Sequence, residues 1–238
     1  MTAMTSKHPS AQRIDKHRLL STHPLFRDFS ASMLDRVVLR AVARNVKKGT
    51  VLFRKGDVGT NLYAVCAGSV RISVPSEQGH DAIFNVIPPG ELFGEIALLD
   101  GGARTADAVT LEDSKMMVIE RRDFIPVVRE NPDIAMKLIE MICARLRKTS
   151  EQVEDLIFLG LPARLAKILL QFHSRHVPDA ANTIKITQRE LSQMIGTSRE
   201  SANKLLREWQ RRGWLKLQRG GIHIIAPKAL EGLVSEIN

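Results

Sequence analysis

Glycines punctuate the first half of the chain at positions 49, 56, 59, 68, 79, 90 and 94. Between them lie short runs of β-branched and aromatic residues, TVLFR, LYAVCAG, SVRISV, AIFNVI and, later, KMMVIE. Turn signals (KKG, RKGDVGTN, PSEQGH, PPGE, LDGG) separate these runs. Such spacing leaves room only for short strands, and it predicts an all-β sandwich or jelly roll between Val46 and Val118. The stretch before it, Pro24 to Ala43, carries Leu25, Phe26, Phe29, Met33, Leu34, Val37 and Val38 at helical spacing. It is expected to pack on the barrel as a helix.

After Arg121 the texture turns helical. Asn131-Pro132-Asp133 is a start signal, with Asn131 as cap and Pro132 at the first helical position. Apolar residues then recur near a heptad spacing, through Ile134, Leu138, Met141 or Ile142, Leu146, Val153 and Leu156, with Thr149 and Arg145 on the same track. The helix is expected to end near Phe158, before Gly160 and Pro162. A long amphipathic helix between two domains reads most simply as a dimerisation helix; the alternative is one folded back on its own barrel. The remainder reads as a helix (Pro162 to His173), a polar loop HVPDAANT, a strand IKI, two helices and the hairpin WLKLQRGGIHII.

Charge divides unevenly. From Leu161 onward there are 13 Lys/Arg against 6 Asp/Glu, whereas the first 160 residues hold 22 against 20. A basic C-terminal third on a nearly neutral body points to a polyanion-binding module there. With 44% apolar and 26% charged residues the chain has the composition of a soluble globular protein. It contains no run long enough to cross a bilayer, and its polar, basic start lacks the apolar core of a secretory signal. The expected location is cytoplasmic. Two cysteines, Cys66 and Cys143, read as buried thiols and are too few for an iron–sulfur cluster.

TQRELSQMIGTSRESANKLLREWQRRGWL carries the most specific functional signal. Thr187 caps a short helix with inward Leu191, Met194 and Ile195, and Glu190 completes a capping box. Gly196 makes the turn. Ser198 caps a second helix with Ala202, Leu205, Leu206 and Trp209 inward, and with Arg199, Glu200, Asn203, Lys204, Arg207 and Arg211 outward. Such a helix offers its first residues to base edges in the major groove of double-stranded DNA. Arg199 suits guanine O6 and N7, Glu200 suits cytosine N4, and Thr187, Arg189, Ser198 and Ser201 suit phosphates. With the hairpin as wing, this is a winged helix-turn-helix.

ITQRELSQMIGTSRESANKLL resembles the helix-turn-helix of the Crp–Fnr regulators, nearest their cyclic-AMP receptors. In that family Arg-Glu and a following basic residue read a TGTGA-type half-site; Arg199, Glu200 and Lys204 hold those places, with lysine where arginine is usual. GTVLFRKGDVGTNLYAVCAGSVRI and FGEIALLDGGARTADA resemble the family's cyclic-nucleotide-binding domain and its phosphate-binding cassette. The resemblance implies that Arg104 meets the cyclic phosphate and Glu95 the ribose 2′-hydroxyl. Gly94 permits close backbone approach, residues 95–99 form a short helix, and Ile96, Leu98 and Leu99 form its core, with Ile96 also at the binding site. ARLRKTSEQVEDL resembles the family's dimer helix, which implies purine contacts from Thr149 and Ser150 of the two subunits. Arg145, one turn earlier, is a candidate partner of Glu95 or the phosphate. Thr105 leaves the base open: cyclic AMP is the expected effector and cyclic GMP the second candidate.

The fold class implied is α+β, with a basic tail (1–24), a cyclic-nucleotide-binding jelly roll (25–130), a dimerisation helix (131–160) and a winged helix-turn-helix domain (161–238). The function implied is an allosteric, homodimeric transcription regulator. The resemblance also admits other effectors, including haem, for which His80 is a weak candidate, or activity without ligand. No metal and no haem are expected. No nucleophile–base constellation stands out, and His173-x-x-His176 is the only local histidine pair, so an enzyme is not expected. HVPDAANT is a candidate contact for RNA polymerase, by analogy with the family.

Overall fold

The structure, a computed structural model, describes residues 26, 29–75, 81–175, 183–218 and 221–235. The basic tail, His80, and His176 with the loop to residue 182 lie outside the described residues. Two compact units form, one from the described residues up to 71 with 86–138, the other from 72–85 with 139 onward.

The first unit opens with helix α1 (Ala31–Arg40), where the Ser30 hydroxyl accepts from the Met33 amide. The helix stops short of the expected Ala43. Ala41 turns extended, and Val42–Val46 becomes strand β1, paired antiparallel with β8 (Ser114–Glu120) from Val42 opposite Val118 to Val46 opposite Ser114. The ladder offered by β8 overrides the local helical periodicity there.

Eight short strands follow the expected texture: β2 (Val51–Phe53), β3 (Asn61–Ala67), β4 (Val70–Val74), β5 (Ala82–Ile87), β6 (Leu92–Phe93) and β7 (Asp107–Thr110) join β1 and β8. They make two four-stranded sheets, β1-β8-β3-β6 and β2-β7-β4-β5, the arrangement of a jelly roll. Helix α2 (Glu95–Asp100) sits between β6 and β7, and α3 (Arg121–Glu130) follows β8. Phe26, Leu34, Val37, Leu62, Phe93, Leu98, Met116, Met117, Ile119, Phe124 and Val127 are all buried, so α1, α2 and α3 share the core of the strands.

Helix α4 runs from Pro132 to Phe158 without interruption. Asn131 behaves differently from a simple cap. Its carbonyl accepts from the Ile134 amide, as a cap's does, but its side-chain amide donates back to the Val127 carbonyl and closes the end of α3. The apolar residues of α4 divide: Ile134 and Leu138 are buried, whereas Ile139, Ile142, Leu146, Val153 and Ile157 are exposed.

In the second unit, α5 (Leu161–Arg175), β9 (Thr183–Ile184), α6 (Gln188–Met194), α7 (Arg199–Arg211), β10 (Leu215–Gln218) and β11 (Gly221–Ile224) appear in the expected order. The strands form a sheet in the order β10-β11-β9, with Leu215 opposite Ile224 and Ile222 opposite Ile184. A further helix, α8 (Pro227–Ser235), has no counterpart in the sequence reading, although Pro227 at its first position and Leu230, Leu233 and Val234 at helical spacing mark it. Leu165, Ala166, Leu169, Leu191, Ile195, Ala202, Leu206, Trp209, Leu215, Ile222, Ile224 and Leu230 form one core.

Both cysteines are free and half-buried, rather than fully buried as expected. Burial nonetheless pushes the Cys66 thiol up, opposed by a backbone hydrogen bond from Met117, so it stays protonated near neutrality.

Leu206 is fully enclosed in the second core, so Leu206→Ala should destabilise that unit by about 2–5 kcal/mol. Denaturant unfolding followed by tryptophan fluorescence reads this directly, because the chain's only two tryptophans, Trp209 and Trp214, lie in the same cluster.

Candidate functional site

FGEIALL folds as the sequence suggests. β6 ends at Phe93, Gly94 takes a left-handed conformation (φ +81°), and α2 starts at Glu95. A Cβ on Gly94 would stand 2.6 Å from Arg104 Nη1 and 3.1 Å from the Asn61 carbonyl oxygen, so the glycine is required by space as well as by φ. Arg104 lies beneath it, 4% exposed. Its Nη1 donates to the Gly94 carbonyl (2.9 Å) and its Nη2 to the Asn61 carbonyl (2.8 Å). Its Nε is buried and has no hydrogen-bond partner.

The loop 54–59 is stitched to the same residue. The Gly56 amide donates to the Arg104 carbonyl and the Arg104 amide to the Asp57 carbonyl, both at 2.8 Å. Gly59 lies so close to Ala97 and Arg104 that no side chain would fit. Burial lowers the pKa of the guanidinium, and Tyr63, Glu95 and Asp57 act in the opposite direction. Glu95 is buried at the first position of α2. The structure therefore brings Gly94, Glu95 and Arg104 together, and adds Phe53, Asp57, Gly59 and Asn61. The motif RKGDVGTN carries that signal, with its glycines and its acid in one turn; in the sequence it reads as a turn within the stretch that resembles the nucleotide-binding domain, with no role assigned to its residues.

Ile96 departs from expectation. It is 47% exposed, whereas Glu95, Ala97 and Leu98 are buried, because the short helix turns its second residue away from the strands. Leu98 is core and Leu99 half-buried, so Ile96 does not fix the cassette from inside. Thr105 is exposed beside Arg104. On α4, Thr149 and Ser150 are exposed and their hydroxyls donate to the Arg145 and Leu146 carbonyls, each at 3.0 Å. These back-bonds leave the hydroxyl lone pairs as acceptors. Arg145 is half-buried on the same helix.

The helix-turn-helix is built as read. Thr187 Oγ1 accepts from the Glu190 amide (3.1 Å), and Glu190 Oε2 accepts from both the Thr187 amide (2.8 Å) and its hydroxyl (2.7 Å), a complete capping box. Gly196 supplies a left-handed turn. Ser198 Oγ accepts from the Ser201 amide at 3.2 Å and donates to Ser201 Oγ at 3.1 Å, which caps α7. Arg199, Glu200, Lys204, Arg207 and Arg211 are exposed along α7, and Thr187 and Arg189 are exposed at the start of α6. Ser198 and Ser201 are half-buried. Asn203 is not on the open face as expected: it is half-buried and its Oδ1 is shielded from water, because it adjoins the inward stripe of Ala202 and Leu206. Met194 and Leu205 pack at the edge of the core rather than within it.

A cyclic nucleotide-binding domain model matches residues 43–131, and a Crp-like helix-turn-helix domain model matches 163–233. The CRP-like cAMP-activated global transcriptional regulator of Mycobacterium tuberculosis is 31% identical over 175 residues, 72% of this chain and 78% of that protein. The chain belongs to the Crp–Fnr family of transcription regulators. The cyclic AMP receptor protein of Thermus thermophilus is 30% identical over 208 residues, 87% of this chain and 95% of that one. Among solved structures, the c-di-GMP responsive global regulator CLP of Xanthomonas campestris has the same fold, with a TM-score of 0.73 at 22% identity over 82% of this chain and 99% of that one. As a Crp–Fnr regulator the chain pairs an effector domain of the cyclic-nucleotide-binding type with a DNA-binding helix-turn-helix, and its family consists of regulators rather than enzymes. Among the described residues no group of three or more His, Cys, Asp or Glu is arranged to hold a metal ion, and no helix is long and apolar enough to cross a membrane.

Gly94→Ala forces a left-handed alanine and displaces Arg104. It should cost the first unit at least about 1–2 kcal/mol. Urea unfolding followed through Tyr63, the chain's only tyrosine, measures the loss.

Proposed function

We propose that this Crp–Fnr regulator is a homodimer that binds cyclic AMP, with cyclic GMP as the second ligand to test, and that binding promotes attachment to a TGTGA-like palindromic operator. One observation carries the reading: a guanidinium 4% exposed, held by two carbonyls, with a buried Nε that has no partner. A buried cation of this kind is costly unless a counter-charge joins it, and a cyclic phosphate supplies one through charge-assisted hydrogen bonds. In this reading Arg104 takes the phosphate, Glu95 accepts from the ribose 2′-hydroxyl, and Gly94 and Ile96 border the sugar. Thr105 meets the base, and for Arg145, Thr149 and Ser150 the reading keeps the roles that the resemblance implies.

The exposed apolar series Ile139, Ile142, Leu146, Val153 and Ile157 supports dimerisation through α4, since its steps of three, four, seven and four residues keep it near one face of the helix, as a coiled-coil seam requires. At the operator, Arg199, Glu200 and Lys204 read bases while Thr187, Arg189, Ser198 and Ser201 hold phosphates. Ligand shifts the population of dimers toward the DNA-competent arrangement. Relatives named as a cAMP-activated regulator and as a cyclic AMP receptor protein support cyclic AMP, while a structure of the same fold named c-di-GMP responsive keeps other effectors in view. RNA polymerase is the proposed further partner, and the cytoplasm the proposed location.

Calorimetry with cyclic AMP and cyclic GMP tests the ligand. Arg104→Ala should weaken binding at least about thirtyfold, since removing one partner of a buried charge pair costs about 2 kcal/mol or more. Failure of both nucleotides to bind the unaltered protein removes the reading. Leu146→Asp should convert the dimer to a monomer in sedimentation, and Arg199→Ala should relax operator specificity in gel retardation, by about 1–3 kcal/mol at one base pair.

A further inference from the structure

Phe53, on β2, places its ring 4.1 Å from the Arg104 Cζ, and the Tyr63 ring stands 5.8 Å from the same atom. The two rings belong to one aromatic cluster. Tyr63 and Phe93 are stacked at 4.9 Å with 13° between planes, and Phe53 leans on both, at 5.7 and 6.0 Å. Phe53 is held from behind by its register opposite the buried Ala108 on β7, at the point where the β2–β7 pairing shifts. Neither the motif nor the family resemblance assigned this residue a role.

We propose that Phe53 is a positioning residue for the effector site, fixing the plane of the Arg104 guanidinium so that its unused N–H edge meets the phosphate of the ligand. This inference rests on the cyclic-nucleotide reading above. A ring over one face attracts the cation through its quadrupole, yet offers no lone pairs along the edge. A carboxylate in that place would hold the arginine equally well, but it would occupy the N–H groups and have to be displaced by the phosphate. With one face closed by Phe53, and with Nη1 and Nη2 each anchored to a carbonyl, rotation of the guanidinium is blocked and an anion is admitted only in plane. In-plane approach is the geometry of a bidentate arginine–phosphate contact.

The test is calorimetry of cyclic AMP binding to the full chain, with four variants. Phe53→Leu keeps an apolar side chain of nearly the same bulk and should weaken binding roughly five- to tenfold. Phe53→Met repeats the test with a different ringless shape. Phe53→Tyr restores the ring and should bind within about twofold of the unaltered protein. In an Arg104→Lys background there is no plane to hold, so adding Phe53→Leu should cost no more than about twofold further. NMR of the arginine Nε–H signals supplies a readout that packing alone would not move. The Arg104 signal should be shifted by the ring in the unaltered protein and in Phe53→Tyr, and should return to the ordinary position in Phe53→Leu. Unaltered affinity in Phe53→Leu and Phe53→Met, or an equal loss in the Arg104→Lys background, overturns the inference while the functional reading stands. If the unaltered protein binds no cyclic nucleotide, both fall.

Discussion

A full positive charge in the interior of a β domain is the constraint around which the first unit is arranged. Arg104 carries a guanidinium almost completely out of water, where an uncompensated charge is expensive. The surrounding chain offsets that cost in parts: the Asn61 and Gly94 carbonyls accept two hydrogen bonds, the Phe53 face lies against the cation, and Glu95 supports the charged form from the start of α2. Each contribution imposes something on the backbone. Gly94 must be a glycine in a left-handed turn, Gly59 must lack a side chain, and the loop 54–59 must lie against Arg104 on both sides. The compensation remains incomplete at Nε, and the proposed phosphate contact uses that incompleteness.

Helix α4 poses the complementary problem of apolar surface. Ile134 and Leu138 near its start are buried, whereas Ile139, Ile142, Leu146, Val153 and Ile157 are exposed in a single chain. A contiguous stripe of this kind favours a partner, and the hydroxyls of Thr149 and Ser150 interrupt it while remaining bonded to their own helix. Their back-bonds reduce the penalty of placing polar groups in an apolar seam. The helix-turn-helix closes its helix starts locally, since the Thr187, Glu190 and Ser201 amides are bonded by side chains of Thr187, Glu190 and Ser198. Arg199, Lys204, Arg207 and Arg211 of α7 stand exposed beside this network.

Elements whose stability is local were legible in the residues: the capping box at Thr187, the turn at Gly196, the hairpin strands β10 and β11, and the uninterrupted α4. Their signals depend on neighbours within one or two turns of chain. Misreadings occurred where a distant partner decided. Val42 and Ala43 read as the end of a helix but open β1, which pairs with β8. Asn131 reads as a cap for α4 but bonds back to α3. Ile96 reads as core but lies on the outer side of a helix too short to show its periodicity. The C-terminal helix α8 is legible in Pro227 and in the helical spacing of Leu230, Leu233 and Val234.

By itself the sequence determined the two architectures, their order, the family and the chemical types at the cassette and at the recognition helix. The architectures and their order follow from periodicity, caps and spacing, all short-range; the family and the roles at the cassette are what the resemblance of its motifs implies. The tertiary structure alone decided what Arg104 faces. Residues from β2, the loop before β3, β3, the turn after β6 and α2 converge on one guanidinium, and no spacing along the chain encodes that convergence. Phe53 and Asn61 acquire their roles only because strand pairing carries them there, and strand pairing is set by long-range burial rather than by local preference.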